Sequence, residues 1–265
     1  ALITGASGLL GKEHASALLE LGAKVVLTDI SEENLISTKD TLVEIFDPAQ
    51  IIYEVMDVTN KKNIMDVYKK LVKNEIRVDV LINNAAIDPK VDTEENSKQD
   101  LRLENLSLEE WNSQIDVGLK GAFLCSQIFG SAMASDKKGG VILNISSDLS
   151  VISPDQRLYR DPNVTEEMQF VKPITYSVIK TGLLGLTRYL ATYWASNGVR
   201  CNALSPGGIL NGQNDLFVNR LKNLIPLGRM AESDEYRSTI QFLCSDASSY
   251  MNGQNIIVDG GRSIW

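Results

Sequence analysis

Short apolar segments of strand length alternate with longer mixed segments of helical length along the whole chain. Strands are predicted at 2–4, 25–27, 51–55, 78–82, 141–145, 199–204 and 256–258, and helices after residue 11 and over 31–46, 61–71, 108–133 and 175–195. This alternation is typical of a parallel sheet that helices cover on both faces. Right-handed crossovers favour a doubly wound α/β fold, and since no linker or repeat interrupts the pattern we expect one domain over residues 1–265.

Two segments between the predicted elements are long and polar. One covers residues 86–107 and is acidic in its middle, and the other covers residues 148–173 and holds three prolines. Loops of this length are usually lids, binding segments or disordered. Both follow the carboxyl ends of predicted strands, where doubly wound proteins bind ligands, so we expect them to border the active site.

The composition excludes several classes of function. The formal net charge of the 265 residues is −8, and because an acidic surface repels phosphate backbones we expect no nucleic-acid partner. The single histidine, His14, argues against a serine–histidine–aspartate triad and removes every multi-histidine metal site. We therefore predict a small-molecule partner and no metal.

The cysteines and the hydropathy indicate where the protein works. Cys125, Cys201 and Cys244 are far apart and form no CxxC pair, so we expect buried reduced thiols rather than disulfides or zinc ligands. No apolar run approaches the roughly 18 residues of a membrane span, and we expect no signal peptide. These features predict a cytoplasmic protein with no membrane partner.

Three glycines follow the first predicted strand at a spacing that suits a dinucleotide. Gly5 can make a tight turn, Gly8 lets the backbone approach a pyrophosphate, and Gly11 lets the next helix pack closely on the strand. Alone, this spacing also fits a plain strand-to-helix turn. Asp29 ends the second strand, where its carboxylate can accept from the ribose hydroxyls and repel a 2′-phosphate, which favours NAD over NADP. The alternative is that Asp29 only ends its strand.

A tyrosine and a lysine four residues apart are the candidate acid/base pair. Tyr176 and Lys180 share one face of a predicted helix, and a nearby ammonium favours the phenolate of a group that ordinarily titrates near pH 10. Alone, such a pair is more often a surface contact. Ser146 and Ser147 follow the fifth predicted strand, and a hydroxyl there could donate to a substrate oxygen. Asn83 ends the fourth strand and could tie neighbouring strands together.

These motifs appear in an order that closely resembles the short-chain dehydrogenase/reductase family. They are Thr4–Gly11, Asp57-Val58, Asn83–Ala86, Asn144–Ser147, Tyr176–Lys180, Asn202–Gly208 and Val258–Gly261. The resemblance implies a Rossmann-type α/β fold, a seven-stranded sheet of order 3-2-1-4-5-6-7, and hydride transfer with NAD(P). It implies that Tyr176 is the general acid/base, that Lys180 binds the nicotinamide ribose and lowers the pKa of Tyr176, and that Ser147 holds the substrate oxygen.

The resemblance also supplies cofactor positions. Asp57 and Val58 would border the adenine, whereas Pro206, Gly207 and Ile209 would line the nicotinamide side. With the glycine turn and Asp29, the predicted cofactor-binding set is Gly5, Ser7, Gly8, Leu10, Gly11, Asp29, Ile30, Asp57, Val58, Asn83, Ala85, Tyr176, Lys180, Pro206, Gly207 and Ile209.

The sequence departs from the compact branch of the family at two places. The middle glycine stands at Gly8, a spacing of the extended nucleotide-sugar branch, where the compact branch has it at the position of Leu9. Gly118 occupies the position of a family catalytic asparagine, which puts the usual proton relay in doubt. Our hypothesis is that Gly118 preserves a helix distortion while Gln114 replaces the missing amide.

The whole pattern, with Asp88-Pro89 after the alanines and Asp148–Ser150 after Ser147, resembles members from bacterial surface-sugar and flagellin-modification pathways. The loop at 148–173 is also longer than the family's usual length. Arg157 could bind a substrate anion there, or could simply pair with Asp155 or Asp161. We therefore expect an NAD-dependent oxidoreductase of a sugar or sugar phosphate. The alternatives are a dinucleotide-binding protein without turnover and a nucleotide-sugar epimerase or dehydratase. The resemblance also implies a homo-tetramer or homo-dimer.

Overall fold

The computed structural model describes residues 1–87 and 101–265. Within them a seven-stranded parallel sheet has the order β3-β2-β1-β4-β5-β6-β7, which confirms the predicted fold and strand order. The strands are β1 Leu2–Thr4, β2 Val25–Asp29, β3 Ile51–Val55, β4 Val80–Asn83, β5 Gly140–Ile145, β6 Val199–Pro206 and β7 Asn255–Val258. The chain reverses its direction of winding between β1 and β4, and the carboxyl ends of these strands form the edge where a ligand would bind.

Helices cover both faces of the sheet. They are α1 Leu9–Glu20, α2 Glu32–Val43, α3 Lys61–Lys73, α4 Leu108–Ile115, α5 Gly121–Cys125, α6 Ser131–Ser135, α7 Ile174–Tyr193, α8 Asp215–Lys222 and α9 Arg237–Leu243. The pattern over 108–133 predicted one helix, and the chain does stay helical from α4 to α6, but two π-helical turns at Asp116–Lys120 and Ser126–Gly130 divide it. The short helices α8 and α9 were not predicted.

The core has one apolar cluster on each face of the sheet. Neighbouring strand residues alternate between the clusters: Leu2 packs into one, with Phe129 and Ile142, whereas Ile3 packs into the other, with Leu27. All of these side chains are buried. Both faces of the central strands are therefore buried. This agrees with the continuous apolar runs from which the sequence analysis predicted the strands.

The loop at 148–173 is folded back onto the protein. The side chain of Gln169 donates to the carbonyls of Asp161 and Val164, and accepts from the amide of Asp161. Leu158 is buried in a small cluster with Leu221 of α8. The loop therefore has its own hydrogen-bonded structure. Of the other predicted loop, 86–107, residues 88–100 lie outside the described residues.

The single histidine is buried in α1. Burial lowers the pKa of His14 to about 3, although the neighbouring Asn84 side chain opposes the shift. The folded protein therefore holds His14 neutral at pH values where an unfolded chain, with a histidine pKa near 6.5, takes up a proton.

We predict that acid destabilises the protein partly through His14. As the pH falls from about 6.5 towards 3, His14 should cost about 1.4 kcal/mol of unfolding free energy per pH unit. His14→Leu removes this contribution while other titrating groups remain, so the variant should lose stability less steeply over this range. Urea unfolding of both proteins at several pH values measures the difference, and parallel slopes would contradict the prediction.

Candidate active site

The turn between β1 and α1 brings two backbone segments into direct contact. Gly5 has a φ of +62°, and a Cβ there would lie 2.8 Å from the Cα of Ala85. A Cβ on Gly11 would collide with the Gly5 carbonyl oxygen, and one on Gly8 would lie 3.3 Å from it. Side chains at 5 and 11 are therefore excluded by backbone geometry, which is how a turn is built when the backbone must come close to a ligand.

Asn84 fastens this turn to the end of β4. Its side-chain amide donates to the carbonyls of Thr4, at 3.1 Å, and Gly5, at 2.9 Å. The backbone amides of Asn84 and Ala85 donate in turn to the Thr4 hydroxyl. The sequence analysis quoted Asn84 within its motif but assigned it no role, because the contact joins residues about 80 positions apart.

The turn has the features expected of a pyrophosphate site. The Ser7 hydroxyl oxygen is buried with no hydrogen-bond partner. Helix α1 begins without a side-chain cap, and its first turn holds no acidic residue. Leu10 lies half-buried in that turn. Uncapped N–H groups at a helix N-terminus together with an orphaned hydroxyl suit an anion, so the residues present fit a dinucleotide phosphate.

Asp29 lies beside the same turn. One of its carboxylate oxygens accepts from the amide of Ser7 at 3.2 Å and the other from the amide of Ser31 at 3.3 Å. The next side chain, Ile30, is 70% exposed, so an apolar surface adjoins the carboxylate. This arrangement suits an adenosine whose ribose meets Asp29 and whose base lies against Ile30.

Asp57 and Val58 follow β3 at the neighbouring strand end. One Asp57 carboxylate oxygen accepts from both the amide and the hydroxyl of Thr59. Val58 is buried against Gly121, where a Cβ would lie 2.8 Å from a Val58 methyl carbon. Asp57 thus shapes this turn and Val58 anchors it to α5.

A chain of buried amides lies beneath the centre of the site. The Asn83 side chain donates to the Asn144 side-chain oxygen at 2.8 Å and to the Ser126 hydroxyl at 3.0 Å. Asn144 donates to the Thr187 hydroxyl of α7 at 2.8 Å. The network joins β4, β5 and α7, so Asn83 ties neighbouring strands together as expected.

Ser146, Ser147 and Lys180 lie where β5 meets α7. The Ser146 hydroxyl donates to the carbonyl of Lys180 at 2.7 Å, and the Lys180 ammonium donates to the carbonyl of Ile145 at 2.9 Å. Ser146 is thereby committed to the backbone of α7. The Ser147 hydroxyl instead donates to Asp148 at 2.9 Å and accepts from the amide of Leu149.

Two ammonium groups flank the ring of Tyr176. The nitrogen of Lys180 lies 5.5 Å from the ring centroid, and that of Lys172 lies 3.8 Å from it. The Gln156 side chain fixes the backbone of Lys172 by donating to its carbonyl and accepting from its amide. The sequence analysis did not assign Lys172 a role, since only the folded loop brings it to the phenol.

The helix distortion expected at Gly118 is present, as the π-helical turn Asp116–Lys120. A Cβ on Gly118 would lie 2.7 Å from a methyl carbon of Ile179, so Ile179 occupies the space beside this residue. Gln114 is buried, accepts a hydrogen bond from the Thr175 hydroxyl and donates to Glu110. The structure thus places the Gln114 amide next to the residue that precedes Tyr176. Its replacement of the family asparagine stays a prediction.

The remaining predicted positions lie at the end of β6 and in the loop. The amide of Gly207 donates to Val258 at 2.9 Å, and a Cβ on Gly207 would lie 2.7 Å from the Cα of Asp259. Pro206 ends β6, and Ile209 pairs with the backbone of Ala231.

The Arg157 guanidinium donates two hydrogen bonds to the Asp155 carboxylate, at 2.9 and 2.8 Å, and the Arg157 side chain is 84% exposed. This is the ion pair that the sequence analysis gave as the alternative, and a substrate role for Arg157 stays a prediction.

A cavity of about 480 Å³ opens between the loop and the start of α7. Lys172, whose ammonium lies over the Tyr176 ring, is among its lining residues, whereas Tyr176 itself is not. The hydroxyl oxygen of Ser177 is buried in its wall without a hydrogen-bond partner. The other lining residues are Leu101, Arg102, Leu103, Glu104, Ser153, Pro154, Gln156, Arg160, Glu166, Gln169, Phe170, Val171, Lys172 and Ile174. The mixture of cationic, amide and apolar groups suits a polar organic substrate.

The described residues contain free thiols but neither a candidate metal site nor a candidate membrane-spanning helix. Cys125 and Cys201 are buried, Cys244 is partly so, and burial raises the pKa of each thiol to about 12. Among residues 1–87 and 101–265, no group of three or more histidine, cysteine or acidic side chains is arranged to hold a metal ion. In the same ranges no helix is both long and apolar enough to cross a bilayer.

Comparison with known proteins gives matches along nearly the whole chain. Residues 1–159 match the family model described as short chain dehydrogenase, and residues 164–263 match the model described as enoyl-(acyl carrier protein) reductase. The chain is 33% identical to the 3-oxoacyl-(acyl-carrier-protein) reductase FabG of Thermotoga maritima, over 99% of this chain and 97% of that protein. It is also 33% identical to the NAD-dependent glycerol dehydrogenase of Listeria innocua, over 100% and 93%. A crystal structure of a short chain dehydrogenase from Leptospira borgpetersenii with bound NAD+ superimposes with a TM-score of 0.83 at 32% identity, covering 99% of this chain and 92% of that one.

Restoring an asparagine at Gly118 should destabilise the protein. The new Cβ would press on Ile179, and overpacking of this kind costs about 1–3 kcal/mol of unfolding free energy. Urea unfolding should show this loss for Gly118→Asn and partial recovery in Gly118→Asn/Ile179→Ala. The matched control is Gly185→Asn in α7, where a Cβ meets nothing within 4 Å. Equal stability of the two single variants would contradict the prediction.

Proposed function

The chain belongs to the short-chain dehydrogenase family, and from that premise we propose that it is an NAD-dependent oxidoreductase, a single dinucleotide-binding domain over residues 1–265. Its reaction interconverts a secondary alcohol and a ketone. The observation that carries the proposal is the pairing of Tyr176 with the Lys180 ammonium, next to the strand end that bears Ser147. The phosphate-compatible turn at Gly5–Gly11 supports the same proposal.

The proposed mechanism divides the reaction between a bound dinucleotide and four side chains. When bound, the nicotinamide supplies the acceptor or donor of a hydride. Tyr176 takes the hydroxyl proton as the alcohol is oxidised and returns it as the ketone is reduced. The Lys180 ammonium, held by the Ile145 carbonyl, favours the phenolate form of Tyr176. Ser147 turns its hydroxyl from Asp148 to the substrate oxygen, and Asp29 selects the cofactor through its ribose.

We propose NAD rather than NADP as the cofactor because of the charge at Asp29. Both carboxylate oxygens already accept backbone N–H groups, which holds the negative charge at the turn where a 2′-phosphate would approach. Solved members of the family hold either NAD or NADP, so the family alone does not decide the preference. The printed name of the Listeria relative, an NAD-dependent dehydrogenase, supports NAD.

We propose a sugar or sugar phosphate as the substrate, in surface-glycan or flagellin-modification metabolism. The cationic, acidic and amide groups that line the cavity at the start of α7 support a hydroxylated, polar molecule. The polyol named for the Listeria relative supports the same class. A 3-oxoacyl thioester is a second candidate, which the name of the Thermotoga relative and the apolar lining residues Leu101, Leu103 and Phe170 favour. Turnover of sugars, polyols and oxoacyl thioesters by the same preparation distinguishes the two.

We further propose that the protein is a cytoplasmic homo-tetramer or homo-dimer. Reduced thiols support a reducing compartment. On α7, Tyr189 and Tyr193 stack on each other with their ring centroids 5.5 Å apart and are each more than 60% exposed, which supports a subunit contact at this helix. Light scattering of the purified protein at micromolar concentration tests the assembly.

Replacing the phenol tests the acid/base assignment. Tyr176→Phe should lower kcat by about 10²–10⁴-fold because general acid–base catalysis is worth that much, while dinucleotide binding stays near that of the wild type. Stopped-flow turnover and fluorescence titration of the reduced nicotinamide measure the two effects. The control is Tyr193→Phe, on the same helix but 62% exposed. An active Tyr176→Phe enzyme would refute the assignment.

Removing the charge at Asp29 tests the cofactor preference. Asp29→Asn keeps a hydrogen-bond acceptor for the turn but loses the charge-assisted bonds to the ribose hydroxyls, which are worth about 1.5–3 kcal/mol. The ratio of kcat/KM for NAD over NADP should therefore fall by about tenfold or more. Asp40→Asn, an exposed carboxylate of α2, should leave the ratio unchanged. A wild-type enzyme that uses both cofactors equally would contradict the proposal.

A further inference from the structure

A buried ion pair lies directly behind Ser147. The Arg262 guanidinium donates to a carboxylate oxygen of Asp148 at 2.8 Å, and the two side chains are only 8% and 4% exposed. Burying two charges is costly, and an apolar pair of similar volume is often at least as stable. Stability alone therefore gives little reason for charges at this position.

The second oxygen of the same carboxylate accepts the Ser147 hydroxyl at 2.9 Å. The Leu149 amide donates to the serine oxygen at 3.2 Å, which fixes the hydroxyl from both sides. Asp148 thus bridges the proposed substrate-binding hydroxyl and a cation 114 residues away in the sequence. Without that cation the carboxylate would hold the hydroxyl more strongly and would remain a bare negative charge.

The Asp148–Ser150 turn packs against α7, the helix that carries Tyr176. The Thr181 hydroxyl donates to the Ser150 carbonyl at 3.3 Å, and Ser146 and Lys180 join the same two elements. Because Asp148 and Lys180 are both buried, a net charge at Asp148 would act partly through the protein interior, where charges interact more strongly than in water. A negative charge there opposes the tyrosinate, and a positive one favours it.

Several charged groups of the described residues lie near the pair or the phenol. Lys172 and Lys180 face the ring of Tyr176. Asp155 feels the charge of Arg262, although the hydrogen bond from Arg157 is the main reason that its pKa is lowered. Burial raises the pKa of Tyr236, and the charge of Asp148 adds to the shift.

We propose that Asp148 and Arg262 are positioning residues for the reaction: Asp148 holds the Ser147 hydroxyl until the substrate binds, and Arg262 cancels the negative charge that this carboxylate would otherwise place against α7, the helix that carries Tyr176. The proposal rests on the proposed function of Ser147 and Tyr176. It predicts that removing either partner changes the titration of the phenol, and that the two changes have opposite signs.

The direct test is an ultraviolet titration of the tyrosinate without substrate or dinucleotide. Subtracting the spectrum of the same protein with Tyr176→Phe isolates the one phenol. Arg262→Gln should raise the titration midpoint by about half a unit to one pH unit, and Asp148→Asn should lower it by a similar amount. The double variant Asp148→Asn/Arg262→Gln should return to within a few tenths of the wild-type midpoint, because its net charge is again zero.

The control is Arg77→Gln, which breaks a pair with Asp136 at the opposite end of the sheet and should leave the midpoint unchanged. Shifts of the same sign, or unchanged midpoints, would overturn the proposal. If Arg262→Gln does not fold, the other two variants still test the proposal. Only charge cancellation explains a midpoint that is lowered in Asp148→Asn and restored in the double variant. Because the titration needs no turnover, the predicted midpoint shifts can be absent from a protein that has the proposed activity. Conversely, the shifts can be present in a protein that lacks this activity.

Discussion

Two reciprocal hydrogen bonds between β5 and α7 determine the geometry on which the proposed chemistry depends. The Ser146 hydroxyl donates to the carbonyl of Lys180, and the Lys180 ammonium donates back to the carbonyl of Ile145. All three residues are buried, so water does not compete for these bonds. Ser147 is the next residue along one element, and Tyr176 lies one helical turn before Lys180 on the other. Positioning errors of an ångström can cost a large factor in rate, so a rigid joint at this point is what the reaction requires.

The proposed dinucleotide site is shaped mainly by close backbone contacts, whereas the proposed catalytic site is formed by side chains. Gly5 and Ala85 come too close for any larger residue at position 5, and Asn84 holds the two segments together. The Asn83–Asn144 hydrogen bond joins the end of β4 to β5, the strand that precedes Ser147. The glycine turn and the strand that leads to Ser147 are thus both tied to the end of β4.

The sequence predicted a parallel sheet because short continuous apolar runs alternate with segments of helical length. The strand order and most of the candidate site followed from the family resemblance, whose motifs stand mostly at strand ends. Helices α8 and α9 were not predicted because their eight and seven residues give too short a periodic pattern. The Lys172–Tyr176 contact and the Asp148–Arg262 pair were not predicted for another reason. Each depends on how a loop or the segment after the last strand folds back, and no local sequence spacing encodes that.

The most direct test of the central claim is a crystal structure with NAD and a non-reactive alcohol or ketone bound. The account predicts that the Tyr176 and Ser147 hydroxyl oxygens both lie within about 3 Å of the ligand oxygen, with the pyrophosphate over the Gly5–Gly11 turn. A complex in which the Tyr176 hydroxyl points away from the nicotinamide, or in which the pyrophosphate binds elsewhere, would contradict it.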